Sequence, residues 1–249
     1  KPPPPRPKGF IATNRGCQVW ANDLSEDQKW TWTGTCANGK AQGRGTLTLA
    51  WRGGTEVYVG EMADGQRHGT GKINYPDGGT YQGGFQNGSQ SGHGVRVWAD
   101  GGRYDGEFWG GYQSGRGTQV WPNGVRYTGQ YRDGHRSGYG VLTWPNGDRY
   151  EGDFLDGKRQ GQARYTHANG TTYVGEYTDD KRTGNGTSRL VDGSEYQGHL
   201  VDSRADGYGI YRSPSGNVYT GYWSGGCFRE GDRRAWFGLE GEAGVAACP

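Results

Sequence analysis

The segment Gly152–Lys158 is the part of the chain that comes closest to a motif for binding nucleotides. Its glycines and its lysine have the spacing of a loop that surrounds phosphates with backbone N–H groups. Arg159, however, stands where serine or threonine would hold magnesium, and Gly34–Lys40 is a second partial match. Because the glycines of both segments also belong to a repeat, we interpret neither segment as a nucleotide site.

Nucleophilic and metal-binding side chains show no catalytic arrangement in the sequence. The histidines occupy five different places in the repeat, so they form no column of ligands or bases: His68, His93, His135, His167 and His199. No serine lies in a nucleophile elbow, no spacing suggests a Cys–His pair, and there is no Cys-x-x-Cys for zinc. The sequence therefore predicts a protein that is not an enzyme and has no cofactor and no metal.

A period of 23 residues dominates the chain. Tyrosines recur at this interval, each followed two residues later by glycine, at Tyr58, Tyr81, Tyr104, Tyr127, Tyr150, Tyr173, Tyr196 and Tyr219. A Gly-x-Gly follows in most units, although the fifth unit has Ala163 at the second place. Asn-Gly and Asp-Gly pairs, which favour tight turns, occur twice in most periods. Each unit is therefore predicted to be a β-hairpin, which must stack on its neighbours to be stable.

Aromatic rings supply most of the apolar surface of this chain. It contains 51 glycines, 17 tyrosines and 10 tryptophans, and its net charge is only +2. No stretch approaches the roughly 20 apolar residues that a membrane span requires. The small net charge argues against strong affinity for nucleic acid or membranes.

Strand alternation places two sets of rings where a partner could bind. One set lies near the ends of the second strands, at Tyr75, Trp98, Trp121 and Trp144. The other set follows the repeated tyrosines, at Phe85, Phe108, Tyr131 and Phe154. Both sets have two interpretations: they are a core that replaces aliphatic residues, or they line a groove for a helix, an extended peptide or the faces of sugars.

Basic residues recur in the loops after the first strands. They are Arg67, Arg136, Lys158, Arg159, Lys181, Arg182 and Arg204. Repetition would align them along one edge, where they either solvate the loops or bind an anionic ligand such as phospholipid headgroups or an acidic polymer.

The repeat resembles the MORN repeat (membrane occupation and recognition nexus). Tyr127–Gly134, followed by Gly138 and Gly140, is a near-complete example, and the match covers residues 58–226. Trp32–Gly34 begins an earlier, divergent unit, and the next tyrosine lies 26 residues further on, so we expect an insertion near Trp51–Thr55. The resemblance implies an all-β fold, an elongated twisted β-solenoid of stacked 23-residue β-hairpins. It also implies scaffolding through an aromatic face, with dimerisation at one end or lipid binding in some members.

The regions outside the array lead to a division of the chain into four parts. Residues 1–10 are predicted to be a Pro-rich linker, 11–57 an N-terminal cap with a divergent first repeat, 58–226 the repeat array, and 227–249 a C-terminal cap. The cysteines lie in the two caps, which favours Cys17–Cys36 and Cys227–Cys248 among three pairings. Four reduced cysteines are the alternative.

The N-terminal pattern from Cys17 to Cys36 also resembles exported MORN proteins of Gram-negative bacteria. The resemblance implies a periplasmic or otherwise exported protein, tethered through its Pro-rich N-terminus. The predicted function is therefore a non-catalytic scaffold that binds a protein or peptide along an aromatic groove. A module for cell-envelope glycan or anionic lipid is the alternative, and homo-oligomerisation is left open.

Overall fold

The computed structural model describes residues 8–21 and 27–238. Every regular element within these ranges is a β-strand. No helix there could cross a membrane. The strands of the first half are β1 (Gly9–Ala12), β2 (Gln18–Ala21), β3 (Lys29–Trp32), β4 (Thr35–Ala37), β5 (Lys40–Trp51), β6 (Gly54–Ala63), β7 (Gln66–Asn74), β8 (Thr80–Gln86), β9 (Ser89–Val97), β10 (Arg103–Trp109) and β11 (Tyr112–Val120). Those of the second half are β12 (Arg126–Arg132), β13 (His135–Thr143), β14 (Arg149–Leu155), β15 (Lys158–Thr166), β16 (Thr172–Thr178), β17 (Lys181–Arg189), β18 (Glu195–Val201), β19 (Arg204–Arg212), β20 (Val218–Ser224), β21 (Cys227–Glu230) and β22 (Arg233–Trp236).

Packing contacts divide the chain into two compact units. The first unit contains residues 1–122 and 131–134, and the second contains residues 123–130 and 135–249. In the first unit, consecutive strands from β5 to β11 pair antiparallel. In the second unit, consecutive strands from β13 to β20 pair in the same way. The predicted all-β fold of hairpin repeats is confirmed.

The N-terminal end of the first unit departs from the regular repeat. The β5–β6 hairpin is long, since its pairing continues to Trp51 opposite Gly54, and this extension takes up the longer interval before Tyr58. Strand β2 joins β5 through a parallel bridge, and a disulfide links Cys17 to Cys36 with 5.7 Å between their Cα atoms. This disulfide was predicted from the sequence.

The C-terminal end of the second unit carries a short hairpin. Strand β20 pairs with β21 only at Trp223 and Ser224, and β21 then pairs with β22. Cys248, the partner predicted for Cys227, lies outside the described residues, as does most of the Pro-rich segment 1–10.

The Tyr-x-Gly pattern has a steric origin in each hairpin. In the third regular hairpin Gly106 lies opposite Gly117, and the buried ring of Tyr104 covers the pair. A Cβ atom on Gly117 would come within 2.3 Å of the Tyr104 hydroxyl oxygen. That hydroxyl donates a hydrogen bond to the Glu107 carbonyl at 3.0 Å. The ring therefore fills the space that the two absent side chains leave open.

The same arrangement recurs at the other buried tyrosines and, with a different ring, in the first repeat. Trp32 is 1% exposed, and a Cβ on Gly34 would come within 2.2 Å of its ring. Its indole N–H donates to the Thr35 carbonyl at 2.9 Å, three residues further along the chain. The hydroxyls of the seven repeat tyrosines from Tyr58 to Tyr196 donate to the carbonyl at the same separation. Trp32 thus replaces tyrosine in the divergent unit.

The Gly-x-Gly pattern explains a bulge in each hairpin. The β10–β11 register shifts between Gly106 and Phe108, where the second strand holds the extra residues. Gly115 adopts a φ of 61° there, a conformation that costs glycine little. The carboxylate of Glu107 accepts a hydrogen bond from the backbone N–H of Arg116 at 2.8 Å, which satisfies a donor that the bulge leaves without a ladder partner.

We expect ionisation of the buried tyrosines to unfold the protein at alkaline pH. Burial raises the pKa of Tyr58 and of Tyr127 to about 12, from 10.0. The folded state therefore holds these protons more tightly than the unfolded state. Their stabilising contribution is complete below about pH 10 and disappears as the pH rises through about 12. Denaturant unfolding followed by circular dichroism at fixed ionic strength should show the midpoint falling across this window. A constant midpoint would contradict the expectation.

Candidate functional site: an aromatic groove in the first unit

One face of the sheet in each unit carries the buried tyrosines, and we call it the ring face. In the first unit, Arg96 on β9 lies directly opposite Tyr81 on β8 and Tyr104 on β10, so it belongs to this face. Trp98 follows two residues later and therefore has the same orientation. The equivalent position in the preceding repeat is Tyr75.

A concave groove with a volume of about 600 Å³ lies on the ring face of the first unit. Its lining consists of Arg67, Ile73, Tyr75, Phe85, Gly88, Ser89, Gln90, Arg96, Trp98, Phe108, Gly110, Gly111, Tyr112, Gln113 and Gly134. Aspartate and glutamate are absent from this lining, whereas two arginines are present. A smaller cavity of about 200 Å³ near Trp20 and Trp30 shares Arg67, Gly88 and Ser89 with it.

The floor of the groove is part of the hydrophobic core. Phe85 and Phe108 are each only 5% exposed. Phe108 packs edge-to-face between Tyr81 and Tyr104, with ring centroids 5.0 and 5.2 Å apart. Such pairs stabilise beyond the burial of their area. The rings of the floor are therefore already packed against the core in the absence of a ligand.

The column of rings predicted after the repeated tyrosines belongs to the core throughout. Tyr131 is 6% exposed and contacts Tyr104 in the first unit, and Phe154 is 3% exposed and contacts Tyr150 in the second unit. The structure thus places these residues, together with Phe85 and Phe108, beneath other rings. Only Phe85 and Phe108 also line the groove.

Tyr75 and Trp98 form a half-buried aromatic wall. The Tyr75 hydroxyl accepts a hydrogen bond from Gln90 Nε2 at 2.9 Å. The guanidinium of Arg96 stacks on the Tyr75 ring, 3.7 Å from its centroid. Burial raises the pKa of Tyr75 although Arg96 opposes the shift, so its hydroxyl stays protonated at neutral pH. These contacts fix the orientation of the ring and of the cation.

Trp121 and Trp144, predicted as members of the same ladder, are half-buried and do not line the groove. Trp121 follows β11 in the first unit. Trp144 lies in the second unit, where its ring centroid is 5.6 Å from that of Tyr165. Tyr75 and Trp98 are therefore the members of the predicted ladder that the structure brings together in the groove.

The seven basic residues predicted as one row lie in two columns. Four of them lie on the ring face with their guanidinium groups over aromatic rings: Arg67, Arg136, Arg159 and Arg182. The remaining three stand one position earlier in the repeat and are exposed: Lys158, Lys181 and Arg204. Lys158 pairs with Asp179 at 3.0 Å and Lys181 pairs with Asp202 at 2.9 Å, so neither ammonium group is uncompensated. The difference follows from strand alternation, which sends adjacent residues to opposite faces.

In the second unit, side chains fill the ring face near Arg182, which is 8% exposed. Arg182 Nε donates to the Tyr177 hydroxyl at 3.2 Å, and a terminal nitrogen lies 3.3 Å from His167 Nε2. Because arginine can only donate, this histidine nitrogen accepts. Tyr165 donates to an Asp148 carboxylate oxygen at 2.7 Å nearby. These contacts satisfy one another and make a structural network.

Sequence reasoning did not select Arg96, Gln90, Gln113 or Tyr112, which complete the groove. A signal was present for Arg96. Its column contains Ile73, Gln119 and Leu142 at the equivalent places, so an arginine among uncharged residues stands out. Within residues 8–21 and 27–238, no three His, Cys, Asp or Glu side chains are grouped as they would be around a metal ion.

Comparisons with curated proteins and with solved structures do not identify a function for this chain. No curated protein has a significantly similar sequence. Among solved structures, the SAS-4 TCP domain of Drosophila melanogaster in complex with a proline-rich motif of Ana2 has a TM-score of 0.40 at 14% identity, covering 62% of this chain and 85% of that one. The TCP10 domain of Danio rerio CPAP has a TM-score of 0.40 at 12% identity, covering 85% of this chain and 92% of that one. Scores this low carry no functional inference.

The family model of the MORN repeat matches eight consecutive segments, and these cover most of the chain. The segments are 33–53, 58–80, 81–103, 104–126, 127–149, 150–172, 173–195 and 196–218. They begin at or near the rings that cover the glycine pairs, so the motif and the hairpin geometry agree. The chain therefore belongs to the MORN-repeat family.

Proposed function

We propose that this protein is a non-catalytic, exported scaffold that binds a protein partner through an extended segment lying in the groove of the first unit. The observation that carries the proposal is the half-buried wall of Tyr75 and Trp98 above a floor of packed core rings. A ring held in place loses little entropy when a partner packs on it, and tryptophan and tyrosine dominate the binding energy of many interfaces.

The polar groups of the groove support a peptide ligand. Gln90 and Gln113 each use one N–H of the side-chain amide, toward Tyr75 and Gln119 respectively. Each amide retains a second N–H that can donate to a peptide carbonyl. An extended peptide needs such donors and acceptors beside apolar contacts, because its own backbone groups are otherwise unpaired.

Export is part of the proposal. The Cys17–Cys36 disulfide supports it, because disulfides persist mainly in oxidising compartments. The bacterial, periplasmic setting has the support of the N-terminal resemblance alone.

Replacing Trp98 with alanine should weaken peptide binding by about 30-fold or more, the effect of losing a hot-spot ring worth about 2 kcal/mol. The probe is a library of random linear 12-residue peptides displayed on phage and selected on the whole chain. Binding of the enriched peptides is then measured for each variant by titration calorimetry.

Trp109→Ala is the matched control, because it removes the same ring from a site in the same unit that is 68% exposed and outside the groove. Affinity should stay within about twofold for this control. Equal losses in the two variants, or none in either, would remove the support for the groove. Enrichment of no peptide, with binding of purified cell-wall polysaccharide or anionic vesicles instead, would favour the glycan or lipid alternative.

A further inference from the structure

We infer that the groove of the first unit recognises an acidic peptide segment, in which one aspartate or glutamate side chain pairs with Arg96 while neighbouring apolar side chains pack on Trp98 and the floor rings. This inference rests on the proposed function and specifies the chemistry of its partner. It adds Arg96, which interrupts an otherwise uncharged column of the repeat, to the binding site.

The charge of Arg96 has no counterpart in the groove. Two guanidinium groups and one carboxylate influence the Tyr75 hydroxyl, namely those of Arg67, Arg96 and Glu56. Glu56 forms an ion pair with Arg67, and Arg67 also lies over the Tyr58 ring. Within the described part of the chain, no carboxylate lies within ion-pairing distance of Arg96. One positive charge therefore remains on the groove wall.

The geometry of Arg96 prepares it to bind a carboxylate. Its guanidinium stacks on the Tyr75 ring, and Gln90 donates a hydrogen bond to the Tyr75 hydroxyl, which helps to fix that ring. Stacking covers one face of the guanidinium, and one of its N–H groups also interacts with the Tyr75 hydroxyl. A guanidinium has five N–H groups, so a pair of them can still match the two oxygens of a carboxylate. Because Arg96 is half-buried, a carboxylate bound there is screened less by water and salt than one on an open surface.

The surrounding rings make an acidic peptide a better fit than a simple anion. Trp98 lies two residues from Arg96 on the same face, and Phe85 and Phe108 form the floor beside them. A phosphate or a sugar acid would satisfy the guanidinium but would leave the exposed part of the Trp98 ring without an apolar contact. A peptide supplies both groups, because alternate side chains of an extended segment point to the same side.

The test repeats the peptide selection on the whole wild-type chain and compares it with three variants at position 96. Peptides selected on the wild type should be enriched in aspartate and glutamate near an aromatic or aliphatic residue. Arg96→Gln should bind these peptides about tenfold or more weakly, the effect of losing a charge-assisted hydrogen bond. Arg96→Lys, which keeps the charge without the stacked fork, should fall between the two. Arg96→Glu, selected anew, should enrich lysine and arginine in place of the acids.

Two controls separate loss of recognition from loss of fold. Arg116→Gln removes an exposed arginine of the same unit that does not line the groove, and its affinity for the selected peptides should be unchanged. The thermal midpoint of each Arg96 variant should stay close to that of the wild type. If Arg96→Glu loses the fold, the Gln and Lys variants still decide the question through their affinities.

The outcomes distinguish this inference from the proposed function. Peptides that depend on Trp98, but show no acidic enrichment or bind Arg96→Gln with full affinity, would overturn the acidic assignment and leave the groove intact. Selections that do not depend on Trp98 would overturn both. Binding of phosphatidylglycerol vesicles that depends on Arg96, with no peptide enriched, would also overturn the peptide assignment.

Discussion

We expect replacement of Phe108 by alanine to lower the free energy of unfolding by about 3 to 5 kcal/mol, as for other large buried rings. The ring is 5% exposed and packs between Tyr81 and Tyr104. Its removal leaves a cavity at the point where two consecutive repeats share rings. The loss should appear as a lower denaturation midpoint in urea with an unchanged slope.

Trp109→Ala provides the comparison for Phe108→Ala, because it truncates a ring of the same unit that is 68% exposed. Its effect on the free energy of unfolding should stay within about 0.5 kcal/mol. A loss below about 1 kcal/mol for Phe108→Ala would mean that the stacked rings do not form the core. Phe108 would then be interpreted as a binding residue.

Gly106→Ala should destabilise the protein by about 3 kcal/mol, near the upper end for overpacking. A Cβ at this position would lie 2.5 Å from the Gly117 Cα and 2.6 Å from the Arg116 carbonyl oxygen. Both contacts are with backbone, so the paired strands must separate to relieve them. Calorimetric or urea unfolding measures the loss.

Gly117→Ala is the matched variant on the facing strand, and we expect it to cost only about 1 kcal/mol. The three atoms nearest to its Cβ would belong to the Tyr104 side chain, whereas the two nearest at Gly106 belong to the backbone. The fifth repeat already carries Ala163 at the equivalent position, opposite Gly152. Equal effects of the two substitutions would contradict the steric explanation of the Tyr-x-Gly pattern.

The fold could be predicted from the sequence because the hairpin geometry favours particular residue types at the same place in every repeat. Glycine is favoured where Tyr104 covers Gly106 and Gly117, and turn pairs such as Asp133-Gly134 adopt the positive φ values that close a hairpin. Each physical requirement therefore recurs as a residue type at a fixed interval, and seven intervals make the pattern unmistakable.

The distinction between core and groove could not be predicted from the same pattern. Alternation shows which side chains share a face but does not show which face is covered. Rings occur on both faces: Tyr104 is fully buried, whereas Tyr139 and Tyr222 are 55% and 79% exposed. Trp98 and Phe108 thus look alike in sequence, although one is half-buried on the groove wall and the other lies in the core.

The placement of the basic residues was predictable in principle but missed in practice. Lys158 and Arg159 are adjacent, so alternation alone sends them to opposite faces. Arg159 packs over Tyr150 and Tyr177 and binds Asp180 at 2.9 Å, contacts that depend on neighbouring repeats. Arg96 was missed for a different reason, because it interrupts a column where most repeats carry no charge.

Photo-cross-linking from the groove to its natural partner tests the central claim most directly. A photoreactive phenylalanine analogue replaces Tyr112, which lines the groove and is 62% exposed, or Val59, which is 48% exposed and lies outside the groove in the same unit. Both proteins are irradiated in extract from the cells that produce the chain. The groove account predicts a protein adduct from position 112 that is absent from position 59 and is lost when Trp98→Ala is added. The same adducts from both positions, or an adduct that persists without Trp98, would contradict it.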